Sequence, residues 1–208
     1  MNQPPLSPGD AEALLFDLGR VVLDLDFNRV LHWGRLAGCE PAQLAQRFRR
    51  DELYQRHEKG EISDESYFAG LRSSLGVALS DQQLIEGWNA IFVGEMPGIN
   101  RLLARAARRL PLYALSNTNA VHVACFAKDY VEVLGHFREI FASSTIGLRK
   151  PDAAAYDHAV KAIGVPAGRI VFFDDLAENI EGAQKRGLRT VHVSSPDDVA
   201  RAFEALGI

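Results

Sequence analysis

The chain reads as an α/β protein: a doubly wound parallel sheet with a small helical cap domain inserted after the first strand. Three observations predict this. Short apolar runs alternate with amphipathic helical stretches over most of the chain. Each run stops abruptly at polar or turn-forming residues. One long segment near the N-terminus breaks the rhythm, and it is too long for a βα loop of roughly 2–6 residues.

The runs come first. Ala13-Leu14-Leu15-Phe16 ends at Asp17-Leu18-Gly19, as a buried strand entering a turn does. Pro111 to Leu115 ends at Ser116-Asn117-Thr118-Asn119. Ile140-Phe141-Ala142 leads towards Gly147 to Pro151, Ile170 to Phe173 ends at Asp174-Asp175, and Thr190 to Val193 ends at Ser194-Ser195-Pro196. Between them, helices are predicted over Ile99–Leu110, Asp152–Ile163 with Gly164 as its stop, Glu178–Arg186 and Asp197–Leu206. Strands alternating with helices give a parallel sheet wrapped by helices.

The segment from Asn28 to Met96 holds no convincing strand. Ser63-Asp64-Glu65 opens a helix that Gly76 can end, and Ser80 with Gln83 forms a capping box before Leu84, Ile85 and Trp88. The expected organisation is a catalytic core of residues 1–27 and 97–208 with a helical cap of residues 28–96. Trp88 is expected in the cap's own core.

Composition narrows the function. Of 208 residues, 47% are hydrophobic and 24% charged, which calls for a packed core rather than disorder. The net charge of −4 gives no basic face for nucleic acid, and the pairs Arg49-Arg50 and Arg108-Arg109 read as solvated helix faces. Cys39 and Cys125 stand far apart with no metal-like spacing, as in reduced thiols of a cytosolic protein. The first ten residues lack a basic start and apolar run, and no apolar run reaches the roughly 20 residues of a membrane span. The expectation is a cytoplasmic protein acting on a small molecule, with neither nucleic acid nor membrane as partner.

Ligands of an open parallel sheet sit beyond the carboxyl ends of its strands. The residues gathered there are Asp17, Ser116, Asn117, Asp174 and Asp175, with Lys150 in a following loop. Close carboxylates repel unless a cation neutralises them, and Mg²⁺ suits a few carboxylates, waters and phosphate oxygens. With a Lys charge and a Ser hydroxyl, the set describes phosphoryl transfer. Helix or turn capping is the plainer role open to each of Asp17, Ser116-Asn117 and Asp174-Asp175, and Lys150 before Pro151 also suits a helix start.

The ordered stretches Phe16-Asp17-Leu18-Gly19-Arg20-Val21-Val22, Leu115-Ser116-Asn117-Thr118, Arg149-Lys150-Pro151 and Phe173-Asp174-Asp175 with Asn179 resemble the haloacid dehalogenase superfamily, whose core is Rossmann-like. Asp24 to Leu31 and His57 to Glu65 look like the cap segments of its bacterial phosphatases for α-glucose 1-phosphate. The resemblance implies Asp17 as nucleophile forming an aspartyl-phosphate. It implies Mg²⁺ on Asp17, the Gly19 carbonyl, Asp175 and, directly or through water, Asp174. Ser116 and the Asn117 amide would bind the phosphoryl group and Lys150 would neutralise charge. His57, Glu58 and Glu61 sit in the most polar loop of the cap and are expected to meet the substrate there, His57 and Glu61 above all. Many phosphatases of the family carry a second Asp two residues after the nucleophile as general acid and base. Here that position is Gly19, which has no proton to give. A metal-independent 2-haloacid dehalogenase and a non-catalytic binding protein on the same fold are the competing functions.

Overall fold

A computed structural model describes residues 3–29, 38 and 51–208. Five parallel strands form the central sheet: β1 (Ala13–Phe16), β4 (Leu112–Ser116), β5 (Phe137–Ala142), β6 (Ile170–Asp174) and β7 (Arg189–His192), in the order β5-β4-β1-β6-β7. Beside it lies a two-stranded antiparallel ribbon, β2 (Leu23–Leu25) with β3 (Phe92–Glu95). The helices are α1 (Glu52–Glu58), α2 (Asp64–Leu75), α3 (Asp81–Asn89), α4 (Ile99–Ala106), α5 (Ala120–Asp129), α6 (Val131–Leu134), α7 (Ser143–Ile146), α8 (Ala153–Ile163), α9 (Ala177–Lys185) and α10 (Pro196–Leu206).

Strand period decides which helix meets which face. Leu14, Phe16, Ala114, Val171 and Phe173 point to one side, where Ile99 and Leu103 of α4 and Val199 and Phe203 of α10 cover them. Ala13, Leu15, Leu115, Ile170 and Phe172 point to the other, against Tyr156 and Ala159 of α8 and Ile180 and Ala183 of α9. Both faces are apolar, so β1 and β6 read as unbroken apolar runs. Phe16 and Phe173 lie side by side across β1 and β6 with rings stacked 4.5 Å apart.

The strand order places a topological switch between β1 and β6. The chain leaves β1 towards β4 and β5, then crosses back to β6 and on to β7. The crevice above the two carboxyl ends is where such a sheet takes its ligand, and Asp17, Asp174 and Asp175 stand at those ends.

The helical expectations hold closely. Ser63 caps α2, accepting from the Ser66 amide, and Gly76 ends it with φ +66°. Ser80 and Gln83 form the capping box of α3, and Gly164 ends α8 in the left-handed conformation. Tyr67, Phe68, Leu71 and Leu75 of α2 pack with Leu84 and Trp88 of α3 and with Val121 of α5, so Trp88 is a core residue as expected.

One expectation is corrected. The segment from Asn28 to Met96 does contain a strand, β3, and its partner β2 was also unread. Phe92-Val93-Gly94-Glu95 is half exposed, and its pairing with β2 spans the whole insert. Half-exposed strands this short carry no apolar run to betray them. The ribbon is the stalk by which the chain leaves the sheet and returns. Arg108 and Arg109 fall in the exposed turn after α4 rather than in the helix. Cys39 and the Arg49-Arg50 pair lie outside the described residues. Cys125 is a free thiol, pushed up to about 11 by burial and by Asp129.

Candidate active site

β1 delivers Asp17 to the rim, where its amide donates to the Phe173 carbonyl of β6 at 2.8 Å. One carboxylate oxygen, Oδ1, accepts from the Leu18 amide at 2.8 Å and lies 2.9 Å from Lys150 Nζ. Lys150 Nζ also donates to Asp174 Oδ2 at 2.7 Å. The ammonium is 1% exposed and bridges two strand ends. Burial disfavours its charge, but Asp17 and Asp174 more than offset this and push its pKa up.

Asp174 is fully buried and saturated. Asn179 Nδ2 reaches both of its oxygens at 3.0 Å, the Leu176 amide donates to Oδ1, and Lys150 holds Oδ2. Its geometry is that of an anchor. Asp175 is the more open acid, and the Arg20 guanidinium stands 4.0 Å from it. Arg20 adopts φ +59°, rare for a side chain of its size, in the turn that carries the chain from β1 into β2.

Asn117 has a role the sequence did not disclose. Its side chain donates to the Lys150 carbonyl and accepts from the Lys150 amide, both at 2.8 Å. This closed pair of bonds fixes the loop carrying the lysine. Ser116 ends β4 and is nearly buried beside it. Neither residue caps the next helix. Asn119 does so, accepting from the His122 amide.

Asp17, Gly19, Ser116, Asn117, Lys150 and Asp175 line one cavity of about 270 Å³. His57 and Glu61 do not line it. His57 is buried, stacked 4.1 Å from Tyr67 with Nε2 2.6 Å from an Asp64 carboxylate oxygen. Glu61 is exposed and faces Arg56 and Lys59. Helix periodicity explains the difference: α1 turns the next residue, Glu58, inward with Tyr54 one turn earlier, and these two line the cavity instead.

Glu58 also ties α1 to the loop before α8. Its Oε2 accepts from Arg149 Nε and Nη2 at 3.1 and 2.8 Å, in a pair that is almost fully buried. Its carbonyl lies 2.6 Å from the Ser143 hydroxyl, which accepts from the Thr118 amide. Gly60 completes the seam. It has φ +66°, and a Cβ there would stand 2.3 Å from the Ser144 carbonyl oxygen.

The acidic cluster suits a cation. Carboxylate oxygens of Asp17, Asp174 and Asp175 lie within 4.8 Å of one another, and one ammonium opposes them. Asp17 is pushed up to about 7 by burial, with Asp174 and Asp175 adding to the rise against the pull of Lys150. Burial and Asp174 raise Asp175 too. Three carboxylates set against the Lys150 ammonium and, at 4.0 Å from Asp175, the Arg20 guanidinium leave the cluster short of positive charge. A divalent cation would meet the remaining oxygens of Asp17 and Asp175, because Asp174 has spent its own.

A doubly wound sheet with an acid cluster and a buried lysine at its switch point is the arrangement of an α/β enzyme. The family model of haloacid dehalogenase-like hydrolases matches residues 28–187, and the chain belongs to that family. A HAD family enzyme of Bacteroides thetaiotaomicron, in its magnesium complex, superposes with TM-score 0.85 at 26% identity, covering 93% of this chain and 98% of that one. The same enzyme with magnesium and inorganic phosphate gives 0.80 at 25% identity, covering 89% and 95%. Among curated proteins, a drimenol cyclase of Aspergillus calidoustus is 31% identical over half of this chain and 19% of its own length. A sesquiterpene phosphatase of Aspergillus oryzae is 40% identical over 33% of this chain and 34% of its own. The chain thus spans about a third or less of these curated relatives. No described helix is long and apolar enough to cross a membrane.

Proposed function

We propose that the protein is a magnesium-dependent phosphatase of small phosphate monoesters, with Asp17 as nucleophile, residues 1–27 and 97–208 as catalytic core and residues 28–96 as cap. The observation that carries this is the buried Lys150 ammonium held between Asp17 and Asp174 beside an acid cluster short of positive charge. The magnesium complexes of the Bacteroides enzyme and the relative described as a phosphatase support it.

The substrate phosphate enters the cavity over Asp17. Ser116 and the Asn117 amide receive its oxygens, and Lys150 balances their charge. An Asp17 carboxylate oxygen bonds to phosphorus as the bond from phosphorus to the leaving oxygen breaks. Water then attacks phosphorus, giving inorganic phosphate and returning Asp17 as carboxylate. Asp17, Asp175 and the Gly19 carbonyl would hold Mg²⁺, which would supply further neutralisation of the phosphoryl oxygens. Asn179 and Asn117 hold Asp174 and Lys150 in place. Gly19 donates no proton, so the leaving oxygen takes its proton from solvent, and esters of acidic alcohols react fastest. A positioned acid contributes roughly 10²–10⁴-fold, which is the handicap expected for basic leaving groups.

The test is a phosphatase assay with methyl, aryl and sugar phosphates, including the α-glucose 1-phosphate that the cap segments suggest. Turnover stops with chelator, returns with Mg²⁺, and is lost in Asp17→Asn. Full activity in chelator would sink the magnesium claim, and no hydrolysis of any ester would turn attention to metal-free dehalogenation of 2-haloacids.

A further inference from the structure

We infer that the leaving group this site accepts is an apolar alcohol, alkyl or aryl, in preference to a sugar; this rests on the phosphatase reading above. The cavity has two parts. Its floor is the charged cluster already described. Its upper wall, among the described residues, is built by Leu25 of β2, Phe27, Ile91, Phe92 of β3 and Phe126 of α5. Phe27 is 44% exposed and stands at the mouth, one of the few large apolar side chains of the described residues left in solvent.

Three polar side chains that line the cavity, Glu58, His122 and Asn117, are engaged with the protein. Glu58 is held by Arg149 through two bonds and receives the Tyr54 hydroxyl. His122 donates from Nε2 to the Trp88 carbonyl, which can only accept, so its Nδ1 accepts from Asn119 Nδ2. Asn117 is closed on the Lys150 backbone. A sugar entering here would bring several hydroxyls to a wall whose donors and acceptors are largely spent, and each hydroxyl buried without a partner weakens binding. An alkyl or aryl group meets carbon instead. The volume, about 270 Å³, suits a group of modest size. The absent proton donor at Gly19 favours aryl over alkyl leaving groups, since aryl alcohols leave without help, and leaves the choice between alkyl and sugar to the wall.

The experiment separates leaving-group acidity from apolarity. Steady-state kcat/KM is measured with Mg²⁺ for methyl, propyl, butyl and hexyl phosphates and for glucose 6-phosphate and glucose 1-phosphate. The linear alcohols and the glucose 6-hydroxyl are similarly basic, so a difference between them reports on the wall. The expected result is a rise of up to about fourfold per added methylene, with hexyl phosphate preferred over glucose 6-phosphate by roughly tenfold or more. Phe27→Ser flattens the rise with chain length. A flat series, or sugar phosphates turned over as well as hexyl phosphate, overturns the inference while leaving the phosphatase reading intact. If none of the esters, methyl phosphate included, is hydrolysed, the phosphatase reading falls and the inference with it.

Discussion

Lys150 is the residue on which the site's charge turns. It is buried, and its ammonium is shared by two carboxylates at 2.9 and 2.7 Å. Removing one partner of a buried ionic cluster leaves the others uncompensated, at about 3–5 kcal/mol. Lys150→Met should therefore abolish turnover and also lower metal-free stability by that order at pH 7, measured by urea denaturation. The loss should shrink with added Mg²⁺, because a cation replaces part of the missing charge. A fully stable Lys150→Met protein would mean that neither Asp17 nor Asp174 depends on the lysine for its charge in the metal-free fold. Asp17 and Asp174 were legible in the sequence because each stands where an apolar run ends, and that position confines its side chain to the rim; Lys150 was legible only as a charge in the loop after another strand. Asn117 was half legible: its place was evident, but its bonds to the Lys150 backbone join residues 33 apart. Arg149, Ser143 and Glu58 were not read as a seam, since no local pattern marks partners 85 and 91 positions distant.

At the scale of elements, helices with chemical stops were readable and ribbon strands were not. Ser63, Gly76, Ser80 and Gly164 announce helix ends through side-chain capping and left-handed backbone, both local properties. β2 and β3 depend on each other across the insert, so nothing local fixes them. The junction of α3 and α5 is another such non-local feature, and it carries a titration. His122 of α5 binds the carbonyl of Trp88 in α3 and packs near its ring. Burial, opposed in part by the bond to Trp88, lowers His122 to about 4. In the unfolded chain it titrates at its ordinary value of 6.5. Between these values the unfolded state binds a proton that the folded state refuses, so stability falls as pH drops from 6.5 to 4. The whole effect is about 3 kcal/mol. Comparing wild type with His122→Gln at each pH isolates it, since the acidic cluster is common to both. The stability advantage of wild type should be largest above pH 6.5 and diminish towards pH 4. An advantage independent of pH would place the imidazole in contact with water.

For the whole molecule, the question is what holds the helices of the insert against the sheet. The family match and the parallel sheet were both legible from the order of strands and motifs. The seam was not, and it decides whether the cavity is closed on that side. Glu58 and Arg149 form its buried ionic contact, backed by the Ser143 bond to the Glu58 carbonyl and the close approach of Gly60 to Ser144. A buried pair of this kind is costly to break from one side and often cheap to replace whole. Glu58→Leu and Arg149→Met should each destabilise by about 3–5 kcal/mol, since each leaves the other's charge buried alone. The double variant should recover most of that loss, because two apolar side chains then share the space. The measurement is a double-mutant cycle by urea denaturation, with limited proteolysis between residues 51 and 63 to report opening of the seam. Both single variants should be cut faster than wild type and the double variant should not. Additive losses would show that the two side chains do not meet in solution, leaving the insert to its other contacts, the Ser143 bond to the Glu58 carbonyl, the His122 bond to the Trp88 carbonyl and the apolar packing on Val121.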